Sequence, residues 1–153
     1  MKLSVLAVGK IKDRRLVGLC EEYRDRLGHH VPVEEIEVKK GGGRQRKQVK
    51  EEEGQRLSSA TPDGALTVAM SEDGKQMTSV EMAQSVNRWM VEGRKEIVFY
   101  IGGAYGLAGQ LRGSANQRWS LSKLTFPHDV ARMLLWEQLY RSMTIIRGEP
   151  YHK

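Results

Sequence analysis

The residues EIVFYI, from Glu96 to Ile101, form an apolar run that continues directly into a glycine-rich segment. The run lacks the alternation of polar and apolar side chains that is typical of a strand with one face in water. This composition predicts a strand that is buried on both faces, as in the middle of a parallel sheet. Such a strand needs helices above and below it, so the feature restricts the chain to an α/β fold.

Strands and helices alternate along the rest of the chain. Three further strands are predicted from apolar, β-rich runs at residues 2–9, 32–38 and 66–70. Acids alternate with apolar residues in the second run, as expected at a sheet edge. Thr78 and Glu81 form a capping box that predicts the start of a helix. We therefore predict one α/β domain over residues 1–153, with a mostly parallel sheet flanked by helices.

The charge balance of the chain is basic. Lys and Arg number 25 against 19 Asp and Glu, which gives a formal net charge of +6. This excess suits a protein that meets an anionic partner, although solubility alone would also explain it. The single cysteine, Cys20, cannot form an internal disulfide and lies on the apolar face of a predicted helix. We interpret it as a buried structural thiol.

The sequence predicts neither a membrane span nor a secretory leader. The apolar run at residues 3–8 is too short for a leader and lacks a cleavage site. The single cysteine and the scattered histidines provide no cluster of metal ligands. We therefore expect a cytoplasmic protein with no membrane partner and no metal site.

A basic segment follows the second predicted strand. Residues 39–50, KKGGGRQRKQVK, contain six basic residues and three glycines without an acid. The simplest interpretation is a flexible loop that leads into a polar helix. Its charges are either solvated or in contact with an anionic partner, and both alternatives are open.

Three segments should gather at the carboxyl edge of the sheet, where α/β proteins bind ligands. They are residues 70–75, 102–107 and 120–127. The glycines of the second segment fit neither the dinucleotide fingerprint nor a Walker loop, so a tight structural turn and a ligand loop are both open. The third segment interleaves hydroxyls with apolar side chains, which suits a loop around a flat apolar ring. A plain amphipathic strand has the same pattern.

The end of the chain carries titratable and aromatic groups. A helix of about eighteen residues is predicted after Pro127, and an ion pair on its surface would join Glu137 to Arg141. His128 at the helix start is interpreted as structural. Residues 151–153 are Tyr, His and Lys. Bulky polar groups have little packing reason to lie at a terminus, so the tail is a candidate site.

Together these motifs resemble a known family. The resemblance is carried by Ile101-Gly102-Gly103-x-x-Gly106-Leu107, Ser120-x-Ser122-Lys123-x-Thr125-Phe126-Pro127-His128, Arg132, Glu137-Gln138-x-Tyr140-Arg141 and Arg147-Gly148-Glu149-x-Tyr151-His152. Residues 1–10 also match, so the likeness extends along the chain and is most specific in its C-terminal half. The sequence is similar to the SPOUT-class methyltransferases, and more narrowly to the small bacterial methyltransferases of 23S rRNA pseudouridine N3.

The resemblance implies a homodimer with a deep trefoil knot, in which the C-terminal segment is threaded through an earlier loop. True knots are rare, so the pattern of strands and helices alone would not predict one. S-adenosyl-L-methionine would bind in the knot. The implied cofactor-binding residues are Met70, Gly102, Gly103, Leu121, Ser122, Lys123, Leu124, Thr125 and Phe126.

The resemblance also implies a reaction, which is methylation of N3 of a pseudouridine in helix 69 of 23S rRNA, in the assembled 70S ribosome. His152, or a water held by the tail, would take the N3 proton. Arg141 or Lys153 would stabilise the negative charge, and Tyr151 would stack on the flipped base. Since the chain has no separate RNA-binding domain, we expect a composite site, with one protomer's cofactor beside its partner's tail.

Two positions depart from the family pattern, and two other functions fit the sequence. Met70-Ser71 stands where the third strand usually leads into Leu-Asp or Leu-Glu. This chain therefore lacks the acidic side chain at that position, and whether another group makes its contact is open. Ala104-Tyr105 occupies a variable pair. One alternative function is methylation of another RNA, such as a tRNA. The other is a non-enzymatic ribosome-binding module in which the glycine loop is only a turn.

Overall fold

A five-stranded parallel sheet runs through the molecule in the computed structural model, which describes residues 1–153. The strands are β1 (Lys2–Val8), β2 (Val33–Val38), β3 (Leu66–Gln76), β4 (Glu96–Ile101) and β5 (Gln117–Ser120). Their order is β2-β1-β4-β3-β5, and every pairing is parallel. The predicted α/β fold is confirmed, and β2 is an edge strand as expected.

Helices cover both faces of the sheet. They are α1 (Arg14–Gly28), α2 (Arg46–Ala60), α3 (Ser79–Val91), α4 (Gly109–Ser114) and α5 (His128–Arg147). On one face α5 packs against both α1 and α3, while α2 and α4 contribute to the core on the other face. No helix combines the length and the apolar character that crossing a membrane requires.

The two faces of β4 belong to two separate hydrophobic cores. Ile97, Phe99 and Ile101 join a cluster of 19 buried residues beneath α1, α3 and α5. Val98 and Tyr100 join a smaller cluster of nine beneath α2 and α4. The Tyr100 hydroxyl lies 2.7 Å from Thr61 Oγ1, so the one polar atom among the buried side chains of this strand keeps a partner. Both faces are buried, which is why the strand carries no alternating pattern.

The ends of two helices place the functional segments. The predicted capping box at α3 is confirmed, because Thr78 Oγ1 accepts from Glu81 N at 3.2 Å and Glu81 Oε2 accepts from Thr78 N at 2.7 Å. Gly148 ends α5 in the left-handed region, with φ +68°. The chain therefore reverses, and residues 149–153 return along α5.

Some segments differ from the sequence-based expectation. α2 begins at Arg46, so residues 46–50 of the predicted basic loop are helical. β3 extends to Gln76, and residues 71–74 form a bulge inside the strand where we expected a turn after it. β5 and α4 were not predicted, because β5 spans only four residues and α4 only six. The strand alternative for residues 120–127 is wrong, since β5 ends at Ser120 and a loop follows.

Candidate functional site

The three predicted ligand loops lie along one edge of the sheet. They follow or interrupt β4, β3 and β5, which are neighbours in the sheet order. Because all three strands are parallel, their carboxyl ends share that edge. The gathering of residues 70–75, 102–107 and 120–127 is therefore as the sequence predicted.

Two glycines of the 102–107 loop are required by the turn itself. A Cβ on Gly102 would lie 2.5 Å from the carbonyl carbon of Gly106. Gly106 has φ +78°, and its N–H donates to the carbonyl oxygen of Gly103 at 3.0 Å. Backbone sterics thus account for Gly102 and Gly106 without a ligand. What points to binding is the position of the loop and not its glycine count.

Gly103 has a different neighbour, the carboxylate of Glu53. A Cβ on Gly103 would lie 2.9 Å from Glu53 Oε2. Glu53 is only 4% exposed; its Oε1 accepts from the N–H of Gly41 at 3.1 Å, and its Oε2 has no partner. Glu53 is not among the site residues predicted from the sequence. The signal was present, because Val49, Glu53 and Leu57 are spaced by four and share the buried face of α2.

The bulge of β3 contains acids, but neither replaces the one missing after Met70. Ser71 donates a hydrogen bond to Asp73. Asp73 also forms ion pairs with Arg112 at 3.4 Å and Arg118 at 3.7 Å. The Ser71 hydrogen bond, followed by the two arginines, lowers the pKa of Asp73. Asp73 is therefore an ionised carboxylate already engaged within the chain.

The loop after β5 is open to solvent. The Ser120 hydroxyl donates to the carbonyl oxygen of Ser122 at 2.8 Å, and Ser122 Oγ accepts from the N–H of Leu124 at 3.0 Å. Leu124 is 70% exposed, whereas Leu121 and Phe126 are half-buried. The serine hydroxyls form hydrogen bonds within the loop, whereas the exposed leucine leaves apolar surface free for a ligand or a partner.

The residues at this edge fit S-adenosyl-L-methionine in chemical type. Apolar side chains suit an adenine ring, hydroxyls suit its polar edge, and the unpartnered Glu53 oxygen adds a hydrogen-bonding group near Gly103. Three surface cavities of about 960, 590 and 330 Å³ lie elsewhere, and none is lined by Gly102, Gly103 or residues 121–126. Lys123, Leu124 and Thr125 are exposed, so this edge is open to solvent at the loop after β5. No group of three or more His, Cys, Asp or Glu side chains is arranged to hold a metal ion.

The predicted catalytic residues form one network on α5. Glu137 Oε1 accepts from Arg141 Nε at 2.9 Å, from Arg141 Nη2 at 2.5 Å and from the Tyr151 hydroxyl at 3.0 Å. The Arg141 guanidinium lies 4.6 Å from the centroid of the Tyr151 ring, and its Nη1 lies 3.3 Å from Nδ1 of His152. The ion pair expected from the sequence is therefore also the anchor of the tail.

The network fixes the charge state of two of its members. Burial, together with hydrogen bonding to Glu137, raises the pKa of Tyr151, so its phenol stays protonated. The hydrogen bond to Glu137 raises the pKa of Arg141. Tyr140 contacts the Tyr151 ring edge-on, with centroids 4.8 Å apart. Tyr151 therefore acts as an aromatic surface and a hydrogen-bond donor, not as a base.

Within one chain the cofactor loops and the tail network are apart. The loop after β5 ends where α5 begins, at His128. Glu137, which holds the tail, lies nine residues further on, which corresponds to roughly 14 Å along the helix axis. The structure thus brings Arg141, Tyr151 and His152 together, and it gathers the cofactor loops at one edge. It does not join the two groups in a single chain.

A buried arginine ties the start of α5 to the edge strand. Arg132 is fully buried and donates to the Gly9 carbonyl oxygen at 2.8 Å, to Glu37 at 2.7 Å and to Glu35 at 3.1 Å. Trp136 Nε1 also donates to Glu35, at 2.5 Å. Two of the alternating acids of β2 therefore do not simply face solvent. They bind side chains of α5 and anchor the helix that carries the tail.

Two titratable residues have structural roles, as interpreted from the sequence. Burial raises the pKa of the Cys20 thiol to about 11, so the thiolate needed for nucleophilic chemistry is scarce near neutral pH. Burial also lowers the pKa of His128, whose Nδ1 has no partner. Neither residue meets the tail network.

Comparison with known proteins identifies relatives along the whole chain. Residues 1–152 match the family described as predicted SPOUT methyltransferase. Ribosomal RNA large subunit methyltransferase H of Sorangium cellulosum is 43% identical over 151 residues, covering 99% of each chain. The protein of the same name from Gemmatimonas aurantiaca is 42% identical over 158 residues, covering 100% of each chain.

A solved structure has the same fold. It is a probable methylase family protein from Haemophilus influenzae, with a TM-score of 0.57 and 11% identity. The match covers 99% of this chain and 70% of that one, and at this identity it supports the fold alone. The full-length sequence matches carry the assignment further: the chain belongs to the SPOUT methyltransferases that use S-adenosyl-L-methionine, and within them to the ribosomal RNA large subunit methyltransferase H family.

Proposed function

We propose that this enzyme methylates N3 of a pseudouridine in helix 69 of 23S rRNA, within the assembled 70S ribosome of the bacterial cytoplasm. One observation carries the proposal: relatives 41–43% identical over at least 98% of both chains are named for methylation of large-subunit ribosomal RNA. The particular base and hairpin rest on the motif resemblance of the tail and of the loop after β5.

S-adenosyl-L-methionine supplies a methyl group on a sulfonium, which is a good leaving group, so the chain's own task is alignment and proton removal. Met70, Gly102, Gly103 and residues 121–126 would hold the cofactor at the open sheet edge. N3 of the base lies between two carbonyls, and its deprotonation spreads negative charge onto their oxygens. A cation near those oxygens lowers the barrier.

The tail residues fit these tasks. The Tyr151 ring would stack on the flipped base, although Arg141 and Tyr140 already cover part of it. Arg141 keeps Nη1 directed at His152 while its other nitrogens bind Glu137, so it can offset negative charge without leaving its anchor. His152 is exposed and is our candidate for the group that meets the N3 proton.

We further propose that the working enzyme is a homodimer of single-domain chains, residues 1–153, with the C-terminal segment threaded as a trefoil knot. The separation of roughly 14 Å of helix between the cofactor loops and the tail anchor supports a composite site. A second copy would bring its tail to the open edge of the first. This arrangement would also cover the exposed Leu124.

Substrate comparison tests the proposed function. Ribosomes, isolated large subunits and tRNA from cells lacking the protein would be incubated with the enzyme and methyl-labelled cofactor, and the RNA mapped by mass. We expect one methyl group per ribosome at a pseudouridine of helix 69, with much less on isolated subunits and none on tRNA. Labelling of tRNA instead, or no labelling of any RNA, would overturn the proposal.

A further inference from the structure

A groove of about 960 Å³ lies between α2 and α4, on the sheet face opposite α5. Its floor is formed where the two segments touch, because a Cβ on Gly54 would lie 2.9 Å from the Cβ of Ala108. Tyr105 of the glycine loop stands at one end. The groove therefore opens at the same edge of the sheet as the predicted cofactor loops.

The groove walls are polar and basic. Three of its 14 lining residues are hydrophobic, which is unlike the largely apolar lining of small-molecule sites. One wall presents Arg46, Lys47 and Lys50, and the single acid in the lining, Glu51, pairs with Lys47 at 4.0 Å. Neither Arg46 nor Lys50 forms an ion pair. An anionic ligand would complement this wall.

The position of these cations is not explained by helix stability. Arg46 and Lys47 occupy the first turn of α2, which contains no acid. Positive charge at that end opposes the helix dipole and destabilises the helix. A ligand that neutralises the charges would remove the cost.

An exposed aromatic ring completes the groove. Tyr105 is 44% exposed, and the Arg46 guanidinium lies 5.0 Å from the centroid of its ring. A ring beside a cation offers a base both a stacking surface and a phosphate partner. An acidic peptide would use the cations but would gain little from the ring.

We propose that this groove binds a single-stranded stretch of RNA, with its phosphates along Arg46, Lys47 and Lys50 and a base stacked on Tyr105. The inference rests on the proposed function and adds an RNA surface that lies on the opposite face of the sheet from the tail. Within the basic segment, one face of α2 then contacts the RNA, and not the segment as a whole. An RNA strand held there would reach the cofactor edge through the glycine loop.

Charge neutralisation tests the phosphate contacts. Arg46, Lys47 and Lys50 are changed together to Gln. The matched control changes Arg88, Arg94 and Lys95 to Gln, which removes the same charge at exposed positions in the last turn of α3 and in the α3–β4 connection. Binding of each variant to 70S ribosomes is measured against KCl concentration. We expect the groove variant to lose roughly two units of the log–log salt slope, since each single-strand contact contributes about 0.7. The control variant should keep the wild-type slope.

A second pair of variants tests the stacked base. Tyr105→Ala should weaken ribosome binding about tenfold, which lies within the range measured for loss of one stacked base. It should leave the salt slope unchanged, and Tyr105→Phe should bind like the wild type. Calorimetric affinity for S-adenosyl-L-methionine should be unaltered in the groove-charge variant and in its matched control, which separates loss of RNA from loss of cofactor.

The outcomes separate this inference from the proposed function. If the wild type methylates ribosomes and the groove variant behaves like its control, the groove assignment is wrong and the proposed function stands. Binding that depends on the groove without any methylation would overturn the proposed function and keep this surface. A photoreactive group at Gln110 should cross-link to rRNA, and cross-linking to ribosomal protein alone would overturn the RNA assignment.

Discussion

The role of His152 depends on which of its ring nitrogens carries the proton. Nδ1 lies 3.3 Å from Arg141 Nη1, and Arg141 can only donate. A hydrogen bond there requires the lone pair on Nδ1 and places the proton of the neutral ring on Nε2. In that state Nε2 donates, so His152 must leave Arg141 before it can accept the N3 proton.

Two substitutions at His152 distinguish a base from an orienting donor. If His152 takes the proton, His152→Ala and His152→Gln should both slow single-turnover methylation by about 10²–10⁴-fold, because neither side chain is basic. If it only orients the base through Nε2–H, His152→Gln should keep most of the rate, since its amide still donates. Wild-type rates in both variants would remove His152 from the reaction altogether.

Individual residues could be predicted only where burial or spacing decided the matter. Cys20 and His128 are structural, as interpreted from an apolar helix face and a helix start. The spacing of Glu53 on α2 is sufficient to predict that its side chain is buried. Its place in a run of three acids suggests instead a solvent-exposed side chain. The role of Glu35 as an anchor of α5 could not be predicted from β2 alone, because its partner Arg132 is 97 residues away in sequence.

The bulge in β3 is the element that the sequence described least well. Met70 and Lys75 both pair with Trp119 of β5, so residues 71–74 leave the ladder between them. The segment SEDG was expected to be a turn because turns and bulges use the same residue types. The bulge becomes recognisable only from its pairing with β5, and the four residues of β5, three of them polar, form no recognisable strand pattern. The long apolar run of β4 was predicted with its observed bounds.

A pair of glycine substitutions tests the bulge. Gly74 lacks positive φ, but a Cβ there would lie 2.5 Å from the carbonyl carbon of Trp119. Gly74→Ala should therefore destabilise the protein by roughly 1–3 kcal/mol through overpacking. Gly18, in the middle of α1, has open space at its Cβ, and Gly18→Ala should stabilise by about 0.5–1 kcal/mol.

Urea unfolding measures both effects as shifts in midpoint with an unchanged m-value. Equal effects of the two substitutions would show that the backbone of β3 moves freely away from β5 at the bulge. A stabilising Gly74→Ala would contradict the register described here.

At the scale of the whole molecule, the open question is how two separated groups of residues become one site. Strand and helix patterns predict the sheet and its layers because these depend on local periodicity. Threading and dimerisation depend on contacts between distant segments and between chains, which no periodicity encodes. The knot and the homodimer therefore stay predictions from the resemblance, and the separation of loops and tail is the observation that makes the dimer testable.

Mixed dimers test whether the site is shared. Leu124→Arg places charge in the cofactor loop at a 70% exposed position, so the fold should be retained. His152→Ala removes the tail residue. Each variant alone should be inactive in methylating 70S ribosomes, and co-refolded equal amounts should recover about a quarter of wild-type activity, since half of the dimers are mixed and each has one intact site.

The control is cofactor affinity, which Leu124→Arg should lose and His152→Ala should keep. No recovery of activity on mixing, with mixed dimers shown to form, would place the whole site within one chain. It would then require the tail to reach its own loops by leaving Glu137.

The all-parallel sheet with α5 laid across it also orders events during synthesis. β1 lies in the interior of the sheet and pairs with β4, about ninety residues later, and α5 contributes Leu135, Trp136, Leu139 and Met143 to the larger core. α5 follows all five strands in chain order, so it closes the core over the first helix and strand only after they have been translated. A nascent chain in which α5 is still inside the ribosome holds neither a finished core nor a tail network, so this enzyme acquires its site only after α5 has emerged.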